Sequence, residues 1–482
     1  MNEFDRRRFL RAALVAPLAG TVPAFRHPRP AKAKPTDIRI ENVSHTYEDY
    51  VLRTPLKFGG RVGTRATVLS VSCEVRTLDG RSAKGFGAMP LGNIWSFPSS
   101  TMSSDTTAGA MKTLAGRITK ITAAFAEAGH PIDLNRALEP AYLQAASEVS
   151  KELRLTEPIP KLCTLVTASP FDAAVHDAFG KAHGLNCYHS YGPQFMTYDL
   201  SHYLGPEFRG EQLTQYILQK PTPRMPMYHL IGALDALVDA DLKQRIDDGL
   251  PNTLPEWIRY NGLSHFKIKL NGDDLKWDVD RVITVGRVVQ GTQSQRGVDE
   301  WVLSLDFNEK CPNVGYLLDF LHQVKETSAL TYDRIQYIEQ PTARELETHR
   351  DNVMHEAAKL KPVVIDESLT GLDRLLLARE MGYSGVALKS CKGQSQSVLL
   401  AAAGQKYKMF LCVQDLTCPG ASLVQSAALA AHVPGVAAIE ANARQFIPAA
   451  NTGWEKKFPG IFHITDGTMD TSTLTGVGFG AG

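Results

Sequence analysis

The chain has 482 residues, 43% of them hydrophobic and 21% charged, and its 52 basic and 51 acidic side chains leave a net charge of +1. So even a balance argues against nucleic acid or an acidic membrane surface as partner, and the apolar fraction is that of a soluble protein with a large core. The seven cysteines (Cys73, Cys163, Cys187, Cys311, Cys391, Cys412 and Cys418) are odd in number and thinly spread. They make neither a disulfide framework nor a zinc pattern, and read as buried small hydrophobes.

Residues 1–33 stand apart from the fold. Asp5-Arg6-Arg7-Arg8-Phe9-Leu10-Arg11 precedes an apolar stretch from Ala12 to Phe25, and Ala31-Lys32-Ala33 offers a small-residue cleavage site. Charge, apolar run and cleavage site in that order describe a signal peptide, and the paired arginines resemble a twin-arginine export signal. That resemblance implies export to the periplasm in the folded state. Beyond this segment no apolar run approaches the roughly 20 residues that span a bilayer.

Residues 34–165 read as an α+β capping domain. The segment from Ile38 to about Leu78 is strand-like, with a hairpin signal at Asp79-Gly80, and 105–129 and 134–155 are rich in helix formers. From about residue 166 to 445 the pattern changes to short apolar runs alternating with helix-sized segments. The runs are 227–234, 264–270, 301–307, 335–341, 362–368, 385–390, 409–415 and 436–442. Eight such units predict a (β/α)₈ barrel. The stretches 188–224 and 241–261 exceed a minimal unit and predict extra loops or helices, and 446–482 is expected to pack back on the cap.

Polar residues punctuate the strand ends. In 264–270, Phe266, Ile268 and Leu270 alternate with His265, Lys267 and Lys269. A solvated face would explain the lysines on an open sheet, but a barrel covers both faces, so inward lysines are desolvated and need partners. The next three runs each carry a carboxylate near their ends, Asp306, Glu339 and Asp366, and the sixth carries Lys389. One such acid is commonly a helix cap; three in succession on the catalytic rim point to chemistry. Three converging carboxylates repel unless a cation lies among them, and all-oxygen donors favour Mg²⁺ or Mn²⁺.

Strands two and six of an eight-stranded barrel lie half a turn apart, so Lys269 and Lys389 are expected to face each other across one site. A carboxylate substrate between them would present its α-carbon to two amines, one to remove a proton and one to return it. Burial and neighbouring cations, Lys267 among them, are expected to lower a lysine pKa toward neutrality.

Lys267-Ile268-Lys269, Leu305-Asp306-Phe307-Asn308, Ile338-Glu339-Gln340-Pro341, Ile365-Asp366-Glu367-Ser368 and Leu388-Lys389-Ser390 together resemble the enolase superfamily, muconate-lactonizing-enzyme subgroup, which also holds the dipeptide epimerases. Ser169-Pro170-Phe171-Asp172 through Gly180-Lys181 is similar to the family's approach to the barrel. The resemblance implies Asp306, Glu339 and Asp366, not Glu367, as metal ligands, and Lys269 and Lys389 as acid and base with Lys267 assisting. It places Asp415 at the family's seventh-strand acid, usually Glu, and Glu440-Ala441-Asn442 where dipeptide epimerases hold the substrate ammonium by Asp-x-Asp. The cap loops near Phe58-Gly59-Gly60 and Gly92-Asn93-Ile94-Trp95 would close over the substrate, with Trp95 either packing or touching it. The chain departs from many relatives at Gly85-Phe86-Gly87-Ala88-Met89, where they have Gly-x-Gly-Glu, and at Lys392-Gly393-Gln394, which lacks a double glycine.

The leading reading is racemisation or epimerisation of an amino-acid derivative or dipeptide. Cycloisomerisation or dehydration of a carboxylate, where one lysine suffices, is the close alternative, and a non-catalytic binding protein on the same barrel the distant one. The partner is a small carboxylate; homo-oligomerisation is left open.

Overall fold

A computed structural model describes residues 33–58 and 61–480. The leader expected over 1–33 lies outside the described residues apart from Ala33, as do Gly59 and Gly60 of the expected cap loop. The cap begins with an antiparallel sheet, β1 (Ile38–Phe58), β2 (Arg61–Thr77) and β3 (Ser82–Pro90), in the order β1-β2-β3. The β2–β3 turn is the predicted one. Gly80 adopts φ +98°, and the Thr77 amide donates to the Arg81 carbonyl at 2.8 Å.

Two helices follow, α1 (Ser104–Ala123), capped by the Ser103 hydroxyl, and α2 (Pro131–Glu152), both shorter at their C-termini than the sequence suggests. A third, α3 (Lys161–His183), is buried along nearly its whole length and crosses the boundary expected at residue 165. The sheet lies so close on α3 that a Cβ on Gly85 would fall 2.1 Å from the Ala174 carbonyl, and one on Gly87 2.1 Å from that of Pro170. That approach explains the two glycines of the cap hairpin. At Ala88, where the resemblance puts glutamate, the side chain is buried, and the neighbouring Met89 is buried with the Cys418 thiol 3.5 Å from its sulfur.

All eight predicted barrel strands are present: β4 (Arg224–Ile231), β5 (His265–Lys269), β6 (Val302–Asp306), β7 (Ile335–Glu339), β8 (Val363–Ile365), β9 (Gly385–Leu388), β10 (Phe410–Val413) and β11 (Val436–Glu440). They pair in parallel in chain order, and β11 closes on β4 through Ile439–Met227 and Glu440–Tyr228. The architecture is a closed (β/α)₈-type barrel with an N-terminal α+β cap. All seven cysteines are buried and unpaired, and no described helix is long and apolar enough to cross a membrane.

The two long stretches form structured excursions. Residues 188–224 carry short helical turns, and 241–261 ends in a helix, Leu254–Asn261, whose Glu256 carboxylate accepts the Thr253 amide at 3.2 Å. Arg53 of the cap clasps this excursion through Asp248, with its Nε 2.6 Å from a carboxylate oxygen. The C-terminal segment adds β12 (Thr468–Asp470) antiparallel to β4 and reaches α3, where the Phe479 amide donates to Asp177.

Candidate active site

Inside the barrel, Tyr228, Tyr337, Val364, Ala387, Cys412 and Ala438 form one apolar cluster. The strand pleat repeats every two residues, so the next inward positions toward the C-terminal rim are Glu339, Asp366, Lys389, Gln414 and Glu440. On β5 and β6 the register pairs Lys269 with Asp306, and Asp306 with Glu339 on β7. The predicted residues thus meet on one rim.

They meet as a dense ion-pair network. Lys267 Nζ lies 2.8 Å from Glu339, 2.8 Å from Glu440 and 3.1 Å from Asp306. Lys269 Nζ lies 2.5 Å from Asp306, and Lys389 Nζ lies 2.7 Å from Asp366. Lys392, absent from the predicted set, donates to the other Asp366 oxygen at 3.1 Å and to its carbonyl at 2.5 Å. Gln414, also unpredicted, donates to Glu339. The period-2 pattern of β10 holds the signal for Gln414, because Cys412 already faces inward.

The other predicted substrate residues have protein partners. Asp415 accepts the amides of Cys418 and Asn442 at 3.2 and 3.1 Å, tying together the loops that follow β10 and β11. Both Glu440 oxygens are engaged, one by Lys267 and the other by the Asn442 amide nitrogen at 2.9 Å. Trp95 lies over the rim: its Nε1 donates to Glu367 at 2.8 Å, and Lys389 Nζ is 4.4 Å from its ring centroid. Arg344, paired with Glu309 at 2.5 Å, donates to the Trp95 carbonyl, so barrel groups hold this cap residue at both ends.

Backbone strain collects here too. Asn308, Glu309, Gln340 and Thr417 adopt φ of +45°, +67°, +29° and +56° just beyond Asp306, Glu339 and Asp415. Non-glycine residues hold such angles only where surroundings over-determine them, and they concentrate at functional sites. Gln340 shows one such restraint, its side-chain oxygen accepting the Asp366 and Ser368 amides at 3.1 and 3.3 Å.

Burial opposes every charge in the ring, and the neighbours decide the outcome. It raises Asp366, but Lys389 and Lys392 outweigh it and hold that carboxyl at about 2. Burial raises Glu367 to about 8 with help from Asp366, and Asp415 to about 7 with help from Glu440. Lys389 corrects the sequence-based expectation of a lowered acid/base lysine, and Lys267 behaves alike. Burial does lower them, but Asp366 for the first and Glu339, Glu440 and Asp306 for the second drive both above the usual lysine value.

The donor chemistry fits a hard divalent cation. Six buried carboxylates (Asp306, Glu339, Asp366, Glu367, Asp415 and Glu440) face four lysines, a deficit of two positive charges if all ionise, and Glu367 Oε2 is buried without a hydrogen bond. As the side chains stand, ammonium groups lie between the acids, and among the described residues no three His, Cys, Asp or Glu side chains are drawn close enough to hold an ion. A cavity of about 240 Å³ borders the ring beside Trp95, Asn308, Arg344 and Glu367. A larger one of about 590 Å³ lies against Ile231 and Trp257 and is lined by none of these acids or lysines.

Residues 252–481 match the family model for enolase C-terminal domain-like proteins. No curated protein matches the chain significantly. Among solved structures, muconate lactonizing enzyme from Pseudomonas fluorescens, complexed with muconolactone, superimposes with a TM-score of 0.58 at 15% identity, covering 92% of this chain and 96% of that one. A dipeptide epimerase from Enterococcus faecalis, complexed with Mg and L-Leu-L-Tyr, gives 0.59 at 16%, covering 92% and 99%. N-succinyl Arg/Lys racemase from Bacillus cereus gives 0.56 at 16%, covering 86% and 89%. The chain thus carries an enolase C-terminal domain-like region, on a capped-barrel fold it shares with the muconate lactonizing enzyme, dipeptide epimerase and N-succinyl Arg/Lys racemase structures.

Proposed function

We propose that the protein is an enzyme that moves a proton at the carbon next to a substrate carboxylate, as a racemase or epimerase. One observation carries this reading: Lys269 on β5 and Lys389 just beyond β9 lie four strands apart in a ring of eight, each against a carboxylate. Lysines on opposite walls can address opposite faces of one carbon, one taking the α-proton and the other delivering one. Lys267 places a third positive charge between Asp306, Glu339 and Glu440, where it would offset charge developing on the substrate. Trp95, held by its Glu367 and Arg344 contacts, covers the rim.

Asp306, Glu339 and Asp366 would hold Mg²⁺ or Mn²⁺. Such an ion would supply Lewis-acid stabilisation of the substrate carboxylate and, by neutralising Asp366, release Lys389 from the charge that now raises its pKa. The Mg in the E. faecalis epimerase supports this assignment.

A specific contact narrows the substrate class. Glu440, expected to receive a substrate ammonium, spends both oxygens on Lys267 and Asn442. That favours N-acyl amino acids, which carry no ammonium group, over dipeptides, whose free N-terminal ammonium would need that carboxylate. It equally supports a second reading, cycloisomerisation or dehydration of a carboxylate without an amine. The leader expected over residues 1–33 favours export to the periplasm.

The test is solvent exchange. Protein supplied with Mg²⁺ in D₂O is incubated with N-acyl amino acids, dipeptides and hydroxy acids, and α-deuterium is read by NMR. Uptake in N-acyl amino acids supports the proposal. No uptake in any class would count against the proposal and favour a binding protein or a substrate outside these classes.

A further inference from the structure

The two opposed lysines are held differently. Lys269 belongs to β5 and pairs in register with Asp306 on β6. Lys389 lies one residue past the end of β9, whose last ladder pair is Leu388 with Val413. Its backbone leaves the sheet for a tight turn, in which the Lys392 amide donates to the Lys389 carbonyl and the Gly393 amide to that of Ser390, both at 3.0 Å.

That turn is moored from the cap side. Asp172 on α3, only 5% exposed, accepts the Ser395 amide at 2.8 Å on one oxygen and the Ser395 hydroxyl at 2.7 Å on the other. The carboxylate thereby caps the first turn of the Gln394–Lys406 helix, where backbone N–H groups lack helical partners. Gly393 immediately before it has φ +103°, and a Cβ there would stand 3.1 Å from Asp172 Oδ2, so the close approach needs glycine. The Ser397 hydroxyl lies within bonding distance of the Lys389 and Gly393 carbonyls, at 2.8 and 2.7 Å. His176, one turn from Asp172 on the same helix, has its Nε2 2.9 Å from the Ser395 hydroxyl and 3.5 Å from Asp172 Oδ1, and Gln394 donates to Tyr191 at 3.1 Å. A continuous set of buried contacts runs from α3 through Ser395 to the turn that carries both Lys389 and Lys392. Those two lysines converge on Asp366.

We propose that Asp172, acting through Ser395, is the positioning residue that aims Lys389 and Lys392 at Asp366, leaving the strand-held Lys269 independent of it. The consequence for turnover rests on the proton-transfer reading above; the positioning itself does not. Since α3 also supports the cap sheet at Gly85 and Gly87, one helix references the cap and the Lys389 turn to each other.

The test compares D172A, D172N and S395A with the unaltered protein by acetic anhydride footprinting and mass spectrometry. Lys389 and Lys392, 4% and 3% exposed, and Lys267 and Lys269, 1% and 4% exposed, all begin protected. D172A should raise the labelling of Lys389 and Lys392 about tenfold, the effect of losing a hydrogen bond to a charged group, with Lys267 and Lys269 unchanged. D172N, which keeps an acceptor for the Ser395 amide, should restore most of the protection, and S395A should fall between and report even if D172A does not fold. Where a substrate is found, D172A should slow α-exchange for the stereoisomer addressed by Lys389 and spare the other. Unchanged protection of Lys389 in folded D172A or S395A would overturn the proposal, as would equal exposure of all four lysines. A protein with no α-exchange at all would overturn the functional reading instead, while the footprint still decides the positioning.

Discussion

Replacing Lys267 with methionine removes one buried cation and keeps the volume of its stem. In the native ring its ammonium lies 2.8 Å from Glu339, 2.8 Å from Glu440 and 3.1 Å from Asp306, with 1% of the residue exposed. Its loss leaves three buried carboxylates facing one another, and breaking a buried pair in this way costs about 3–5 kcal/mol. Native Lys269 still serves Asp306, so the lower end applies if the acids protonate. Protonation gives the effect its sign with pH. The orphaned carboxylates of K267M have raised folded-state pKa values, so the penalty grows as pH rises above the unfolded carboxyl value of about 4 and shrinks toward acid. The assay is denaturant unfolding in EDTA at several pH values, followed by tryptophan fluorescence. A midpoint within about 0.5 kcal/mol of wild type, the range of ordinary surface substitutions, would refute the claim that this lysine is the ring's central counter-charge.

Divalent metal held by Asp306, Glu339 and Asp366 should stabilise the native chain, by about 2.7 kcal/mol at a hundredfold excess over Kd. Thermal shift with Mg²⁺ and then EDTA checks this, and D306N should blunt the response. W95F keeps a ring under Lys389 but removes the bond to Glu367, leaving that buried acid without a donor; a loss of about 1–3 kcal/mol is expected from denaturation. His229 is buried against Trp257, at 5.3 Å between ring centroids, and burial lowers its pKa to about 3. With the folded value below the unfolded one of about 6.5, its contribution is intact above that pH and lost as pH falls toward about 3, at up to about 1.4 kcal/mol per pH unit. H229Q should flatten the acid limb of the stability–pH curve by that slope, and an unchanged limb would count against a neutral buried imidazole.

The barrel was legible because eight apolar runs at βα spacing have few other solutions, and Lys269, Asp306, Glu339, Asp366 and Lys389 were legible because polar groups inside a barrel need a reason. The resemblance points to Asp415, whereas the inward alternation from Cys412 reaches Gln414. The lysine pKa expectation has the wrong sign for Lys389, and Lys267 is raised in the same way. Each faces carboxylates from distant strands, and the sequence alone offers no distances to weigh against burial. Contacts between cap and barrel were out of reach for the same reason: Trp95 meets Glu367 and Arg53 meets Asp248 across separations of 272 and 195 residues. No local periodicity encodes such pairs.

The central claim is that two lysines serve two faces of one carbon. Stereo-resolved α-deuterium exchange, run on both enantiomers of an active substrate with K269A and K389A, tests it most directly. Each variant should lose exchange for one enantiomer by about 10²–10⁴-fold and keep it for the other, with the assignments reversed between the two. Exchange of both enantiomers surviving in either variant would contradict the account.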